Sequence, residues 1–316
     1  MAKFEKLKPG DRLRVIAPSG RIRELKSVET GLDIWREQAY QISLTSGYDR
    51  SWGYLAGTDS DRRRQLLDAI GDDYSRGILC ARGGYGATRL LEGLSIADIP
   101  PSTNPKFLIG FSDITALLWA LSGQENILAI HGPVLTTLAQ EPDWAIARLF
   151  DYLAGKPLQP LHGDGWGGGK VRGRLFPGNL TVATYLLGTP HQPDLTNAIL
   201  AFEDVNEEPY RLDRMLTYWR TIGAFQPVLG IALGRFSQSG SDLNSPGDFS
   251  VQQVLRDRLF DLNIPIVANL SFGHDGPNPI LPVGLEVELD GDRGVLSWPT
   301  TPPHTDSLPR RFLPHI

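Results

Sequence analysis

A serine hydroxyl acts as a nucleophile when a base takes its proton, an acid orients that base and N–H donors receive the developing oxyanion. The 316-residue chain offers candidates for each role. Ser112 stands in Gly110-Phe111-Ser112-Asp113-Ile114, after the apolar run Lys106-Phe107-Leu108-Ile109. Behind it Ile114, Leu117, Leu118 and Leu121 fall at helix spacing. A serine at such a strand-to-helix corner has its oxygen lifted clear of the sheet; the same place also suits an ordinary helix N-cap. His274, in Gly273-His274-Asp275-Gly276, follows the buried run Ile264 to Leu270 and either faces a cleft or simply turns the chain. Glu203 directly follows Leu200-Ala201-Phe202, which makes it a strand-end carboxylate, whereas Glu207 and Glu208 beside Pro209 read as a helix entry. Arg82-Gly83-Gly84-Tyr85-Gly86 is a glycine-rich turn whose backbone N–H groups could receive an oxyanion.

Other chemistries fit less well. The 82–86 turn lacks the third glycine of a dinucleotide fingerprint, having Arg89 there, and does not follow the first strand. Six histidines form no HxxxH or HxH pair and there is no CxxC, so no metal site and no cofactor are expected. The single cysteine, Cys80, excludes an internal disulfide and sits in an apolar run as a buried strand residue. A net charge of −5 gives no footprint for nucleic acid. No apolar run approaches membrane-spanning length, and Met1-Ala2-Lys3-Phe4-Glu5-Lys6 lacks the apolar core of a signal peptide, so a cytoplasmic protein is expected.

The elements that must position these residues read as an α/β protein. Strands are expected at Arg12–Ala17, Gly77–Ala81, Phe107–Gly110 and Leu128–Ile130, with helices near Ser60–Ile70 and Thr88–Leu94. This alternation implies a mostly parallel sheet flanked by helices, whose functional loops lie at the carboxyl ends of its strands. Six of the residues from Gly155 to Gly169 are glycine, which reads as a linker over 159–172. The expected division is 1–158, the linker, and a smaller β-rich domain over 173–316. In the latter, helices are expected at Tyr210–Ile222 and Ser250–Leu262, and Leu285–Leu289 and Gly294–Trp298 flank a hairpin signal at Asp290-Gly291-Asp292. The tail from Thr300 to Ile316 is expected to pack loosely.

In order and spacing, the chain resembles the LD-carboxypeptidase family of serine peptidases, which includes murein tetrapeptide carboxypeptidases and microcin C immunity peptidases. The resemblance runs through Leu7-Lys8-Pro9-Gly10-Asp11, Val15-Ile16-Ala17-Pro18-Ser19-Gly20, the 81–86 turn, Gly110-Phe111-Ser112-Asp113-Ile114, Gly178-Asn179-Leu180, Glu203-Asp204-Val205-Asn206-Glu207 and Gly273-His274. It implies a triad of Ser112, Glu203 and His274, with the oxyanion hole formed by the amides of Gly84 and Asp113. It also implies a nucleophile domain like class I glutamine amidotransferases, a homodimer, and release of the terminal D-alanine from a muropeptide. Pro177 departs from the glycine that many members carry before Gly178-Asn179-Leu180.

Three rivals remain open at this level. A peptidyl-nucleotide peptidase of the microcin immunity type would need an aromatic platform, for which Trp166 and Tyr85 are candidates. A silent binder of cell-wall peptides would hold the triad groups apart. A general α/β-hydrolase esterase is disfavoured, because the serine motif lacks a second elbow glycine. Arg82 is a candidate for binding a substrate carboxylate.

Overall fold

The first half of the computed structural model, which describes residues 5–237 and 248–299, alternates strands and helices. In order these are β1 (Arg12–Ile16), α1 (Leu25–Glu37), β2 (Gln41–Leu44), α2 (Asp59–Gly71), β3 (Ser75–Cys80), α3 (Ala87–Leu91), β4 (Lys106–Gly110), α4 (Thr115–Leu121), β5 (Ile127–His131), α5 (Leu135–Leu138) and α6 (Asp143–Leu153). The second half contributes β6 (Leu161–His162), β7 (Asp164–Gly165), β8 (Lys170–Asn179), α7 (Leu180–Leu186), β9 (Ala198–Val205), α8 (Pro209–Thr221), β10 (Val228–Ser237), α9 (Val251–Leu259), β11 (Ile266–Ala268), β12 (Leu281–Pro282), β13 (Glu286–Asp290) and β14 (Val295–Ser297). None of the described helices is long and apolar enough to cross a membrane.

Two mixed sheets result. The first runs β12-β5-β4-β3-β1-β2, with β1 to β5 parallel and β12 antiparallel at the edge. The loops after β1, β3, β4 and β5 therefore share one carboxyl edge, where Gly110 pairs with His131. The second sheet runs β6-β14-β13-β8-β9-β10-β11-β7, parallel from β8 to β11 and antiparallel outside. The second half is strand-rich, but its sheet is the larger, with eight strands against six.

Helix α4 joins the sheets. Thr115, Ala116, Leu117, Leu118, Trp119 and Leu121 are all buried, which suits a helix apolar on every face. The Trp119 ring lies 6.0 Å from Phe176 on β8 and 6.4 Å from Phe202 on β9, and its Nε1–H donates to the Pro177 carbonyl at 2.8 Å. That bond also explains how Pro177 is tolerated. A strand residue's N–H and C=O point the same way, so the missing donor faces α4 and removes no bond to β9.

The 159–172 segment is a correction to the sequence reading. It is built into the second sheet: β6 pairs with β14 and β7 with β11. A Cβ on Gly163 would overlap the Ala268 carbonyl, and one on Gly165 the Gly291 carbonyl. These glycines permit close backbone packing and do not supply slack. The halves are also less separate than expected, since β12 comes from the second half and closes the first sheet against β5. The Thr300–Ile316 tail lies outside the described residues.

Candidate active site

Ser112 follows β4 and begins a 3-10 turn, Ser112–Ile114, that leads into α4. Its φ is +63°, a left-handed value uncommon for a residue with a side chain. Phe111 before it is extended, and no side chain caps the turn. Ser112 is therefore not the N-cap of the alternative reading; the backbone is bent to aim Oγ outward. Gly83 lies against it: a Cβ there would stand 2.9 Å from Ser112 Cβ and 3.1 Å from Oγ.

The three residues singled out from sequence meet. His274 Nε2 is 2.9 Å from Ser112 Oγ, and His274 Nδ1 is 2.6 Å from Glu203 Oε2. Glu203 is fully buried near the end of β9, while the His274 side chain keeps 18% exposure. An ionised carboxylate only accepts, so Nδ1 carries the proton and Nε2 is left to accept from the serine hydroxyl. Burial acts to lower the His274 pKa, but the charge and hydrogen bond of Glu203 outweigh it and the net shift is upward. Phe111 packs on the imidazole with ring centroids 4.9 Å apart.

Gly84 and Asp113 lie on the two segments that meet at Ser112. Asp113 is buried, and its carboxylate accepts from Ser19 Oγ at 2.5 Å and from the Ala87 N–H at 2.7 Å. It thereby ties the elbow to the loop after β1 and to the end of the glycine turn. Burial pushes its pKa up. Gly84 has φ +112°, and the turn is bonded to the β1 loop by Gly20 N–H to the Gly83 carbonyl. Buried Arg62 adds a clamp that sequence reading missed, donating to the carbonyls of Pro18 and Gly86 at 2.6 and 2.8 Å.

A second missed network joins the helix that follows Ser112 to the strand that carries Glu203. The Asn179 N–H donates to Thr115 Oγ1 at 3.0 Å, and its Nδ2 donates to Asp204 Oδ1 at 2.8 Å. Asp204 also accepts from the N–H and hydroxyl of Thr181 and from its neighbour Val205. Burial, with the Glu203 charge, pushes Asp204 up to about 6 against these donors. In sequence, Asn179 and Asp204 stand in segments that carry the family resemblance, but nothing there pairs them.

The other candidates keep contacts of their own. Arg82 Nη1 donates to the Arg21 carbonyl at 2.8 Å. Trp166 carries the Arg256 guanidinium over its ring at 4.4 Å, and exposed Tyr85 pairs with Tyr54 at 5.7 Å. Cys80 is buried in β3, where desolvation raises its thiol pKa.

A model of the LD-carboxypeptidase N-terminal domain matches residues 13–132, and one of the C-terminal domain matches residues 172–289. A putative carboxypeptidase of Synechocystis is 54% identical, covering 92% of this chain and 95% of its own. The murein tetrapeptide carboxypeptidase of Pseudomonas aeruginosa is 31% identical, covering 91% and 95% respectively. A structure of the microcin C7 self-immunity protein superposes with a TM-score of 0.81, covering 97% of this chain and all of its own; at 20% identity this likeness speaks to the fold alone. Ser112 falls within the first matched region, and Glu203 and His274 within the second, in the order in which the two domains follow one another. The chain belongs to the LD-carboxypeptidase family.

Proposed function

We propose that this enzyme hydrolyses the amide bond between an L-configured centre and a C-terminal D-amino acid, releasing D-alanine from a murein tetrapeptide. The observation that carries the reading is the continuous line from Ser112 Oγ through His274 to Glu203. The nucleophile comes from the 1–158 unit, and the acid and base come from 173–316. His274 Nε2 takes the serine proton as Oγ attacks the scissile carbonyl. Glu203 holds the Nδ1–H tautomer and stabilises the imidazolium. The amides of Gly84 and Asp113 receive the oxyanion, each such donor contributing about 3 kcal/mol to the transition state. His274 then protonates the leaving amine of D-alanine, and water, activated by the same imidazole, clears the acyl-enzyme.

The substrate class is carried over from the relative named a murein tetrapeptide carboxypeptidase. The rivals are less well supported. A silent binder has no use for a base within hydrogen-bond reach of a serine held at φ +63°. Of the two aromatic candidates for a peptidyl-nucleotide platform, Trp166 carries Arg256 over its ring and Tyr85 is exposed beside Tyr54, so that reading rests on Tyr85 alone. An elbow serine after β4 of a parallel sheet accords with a nucleophile domain like class I glutamine amidotransferases. A homodimer in the cytoplasm accompanies this reading, and light scattering and cell fractionation test those two points.

Mass spectrometry of a murein tetrapeptide incubated with wild-type protein, Ser112→Ala and His274→Ala tests the activity. Loss of one D-alanine with the wild type, and a rate lower by several orders of magnitude in both variants, is the expected result. An intact tetrapeptide in all three incubations rejects the substrate. Unimpaired turnover by either variant rejects the triad.

A further inference from the structure

His131 ends β5, is fully buried and takes no part in the reaction above. Its ring lies edge-on to Phe111 and Phe272, with centroids 5.9 and 6.1 Å away. Its Nε2 is 3.1 Å from Asn278 Oδ1. Asn278 is buried too; its Oδ1 accepts the Gly273 N–H at 3.2 Å, and its own N–H donates to Glu141 Oε2 at 2.7 Å.

These contacts settle the protonation of the pair. The Gly273 amide can only donate, so the Asn278 side chain turns its oxygen toward it. The same oxygen faces His131, which must then donate from Nε2 and leave Nδ1 bare. Burial holds His131 below the usual histidine pKa, in keeping with a neutral ring. Among the described residues, His131 Nδ1 and Asn278 Nδ2 are both buried without a partner. An amide and an imidazole placed so deep, and half satisfied, make a poorer core than an apolar pair would.

Their location supplies the reason. Gly273 immediately precedes His274 and has φ +133°, so its peptide plane sets the direction in which the imidazole leaves the chain. Asn278 closes that turn upon itself. It is anchored to the first half twice, by its side chain to β5 and by its main chain to Glu141 beyond α5. Phe111, next to the nucleophile, packs against both histidines. Arg235 supports the far side of the turn, donating to the Asp275 carbonyl at 2.5 Å.

We propose that Asn278, held by His131 and Glu141, is a positioning residue that registers the His274 loop of one half onto the serine of the other. This rests on the assignment of His274 as the base.

The test is steady-state kinetics on a murein tetrapeptide for Asn278→Ala, His131→Phe and His131→Gln, each checked for folding by circular dichroism, with Ser112→Ala and His274→Ala as references. A misplacement of about 1 Å at a reacting group costs on the order of 100-fold in rate. Asn278→Ala and His131→Phe should therefore lose about 10- to 100-fold in kcat while KM stays within about twofold. His131→Gln should regain most of the rate, because its amide can donate to Asn278 Oδ1. In Asn278→Ala the acid limb of kcat/KM should also move to lower pH, as His274 slackens against Glu203 and Asp204, the charges that raise its pKa. An unchanged kcat and acid limb in Asn278→Ala, or equal damage in the two His131 variants, overturns the proposal. If Asn278→Ala does not fold, the His131 pair decides alone. Retained turnover in Ser112→Ala and His274→Ala would instead remove the base assignment, and this inference with it.

Discussion

The imidazole of His274 is pulled two ways: burial favours its neutral form, and Glu203 favours its charged form and wins. A general base must be neutral to accept a proton, so kcat/KM should climb with pH through a midpoint above the ordinary value of 6.5. Glu203→Gln removes both the charge and the charge-assisted hydrogen bond while leaving the burial, so the midpoint should move to lower pH. The plateau should fall as well, on the order of 10⁴-fold, because glutamine neither holds the tautomer nor stabilises the imidazolium. A pH–rate profile of the two proteins checks both effects, and an unmoved midpoint would mean that Glu203 does not govern the base. At this scale the sequence pointed to side chains that meet in the fold where each carried a local signal. Ser112, Glu203 and His274 each follow a buried run, and glycines flank the serine and histidine segments. His131 also follows a buried run and precedes Gly132, but nothing local separates it from a core histidine, and Asn278 carries no such signal. A histidine ending a strand and an asparagine between prolines look like packing and turn residues until the fold brings them together across 147 positions.

Among the elements, α4 couples packing to chemistry. It begins three residues after Ser112 and is clamped against β8, where a Cβ on Gly178 would overlap the Thr115 methyl and stand 3.2 Å from Trp119 Nε1. Gly178 is not among the residues with positive φ, so alanine there adds bulk without backbone strain. Gly178→Ala should therefore push α4 off β8, costing about 1–3 kcal/mol of stability. It should also lower kcat by about 10-fold or more, because Ser112 moves with the helix while His274 does not. Thermal melts with tetrapeptide kinetics check this; a destabilised protein with full kcat would show that α4 does not set the serine's position. Sequence periodicity revealed α2, α8 and the β13–β14 hairpin, where turn residues or an apolar stripe repeat cleanly. It missed β2, a half-exposed edge strand, and misread 159–172, where glycine serves close approach between strands. Composition alone does not distinguish a glycine that loosens a chain from one that lets two backbones touch.

For the whole molecule, size argues for two domains that melt apart, since interfaces within a chain are commonly modest and polar. The packing argues otherwise. One apolar cluster runs from Ile16, Leu108 and Leu117 of the first half through Trp119 to Phe176, Leu200 and Trp219 of the second. Cross-links lie outside it as well. β12 completes the first sheet from the far end of the chain. Arg148 of α6, whose pKa burial lowers to about 10, lies 4.6 Å over the Trp298 ring and donates to the Gln159 carbonyl. Opening the halves would expose the Trp119 face and orphan the buried donors together, so neither half has a complete core alone. Differential scanning calorimetry should accordingly show one transition, with calorimetric and van't Hoff enthalpies equal. Gly178→Ala should move that transition down as a unit without splitting it. Two resolved transitions in either protein would mean that the halves fold independently, and that the line from Ser112 to Glu203 is held by a separable interface and not by a shared core.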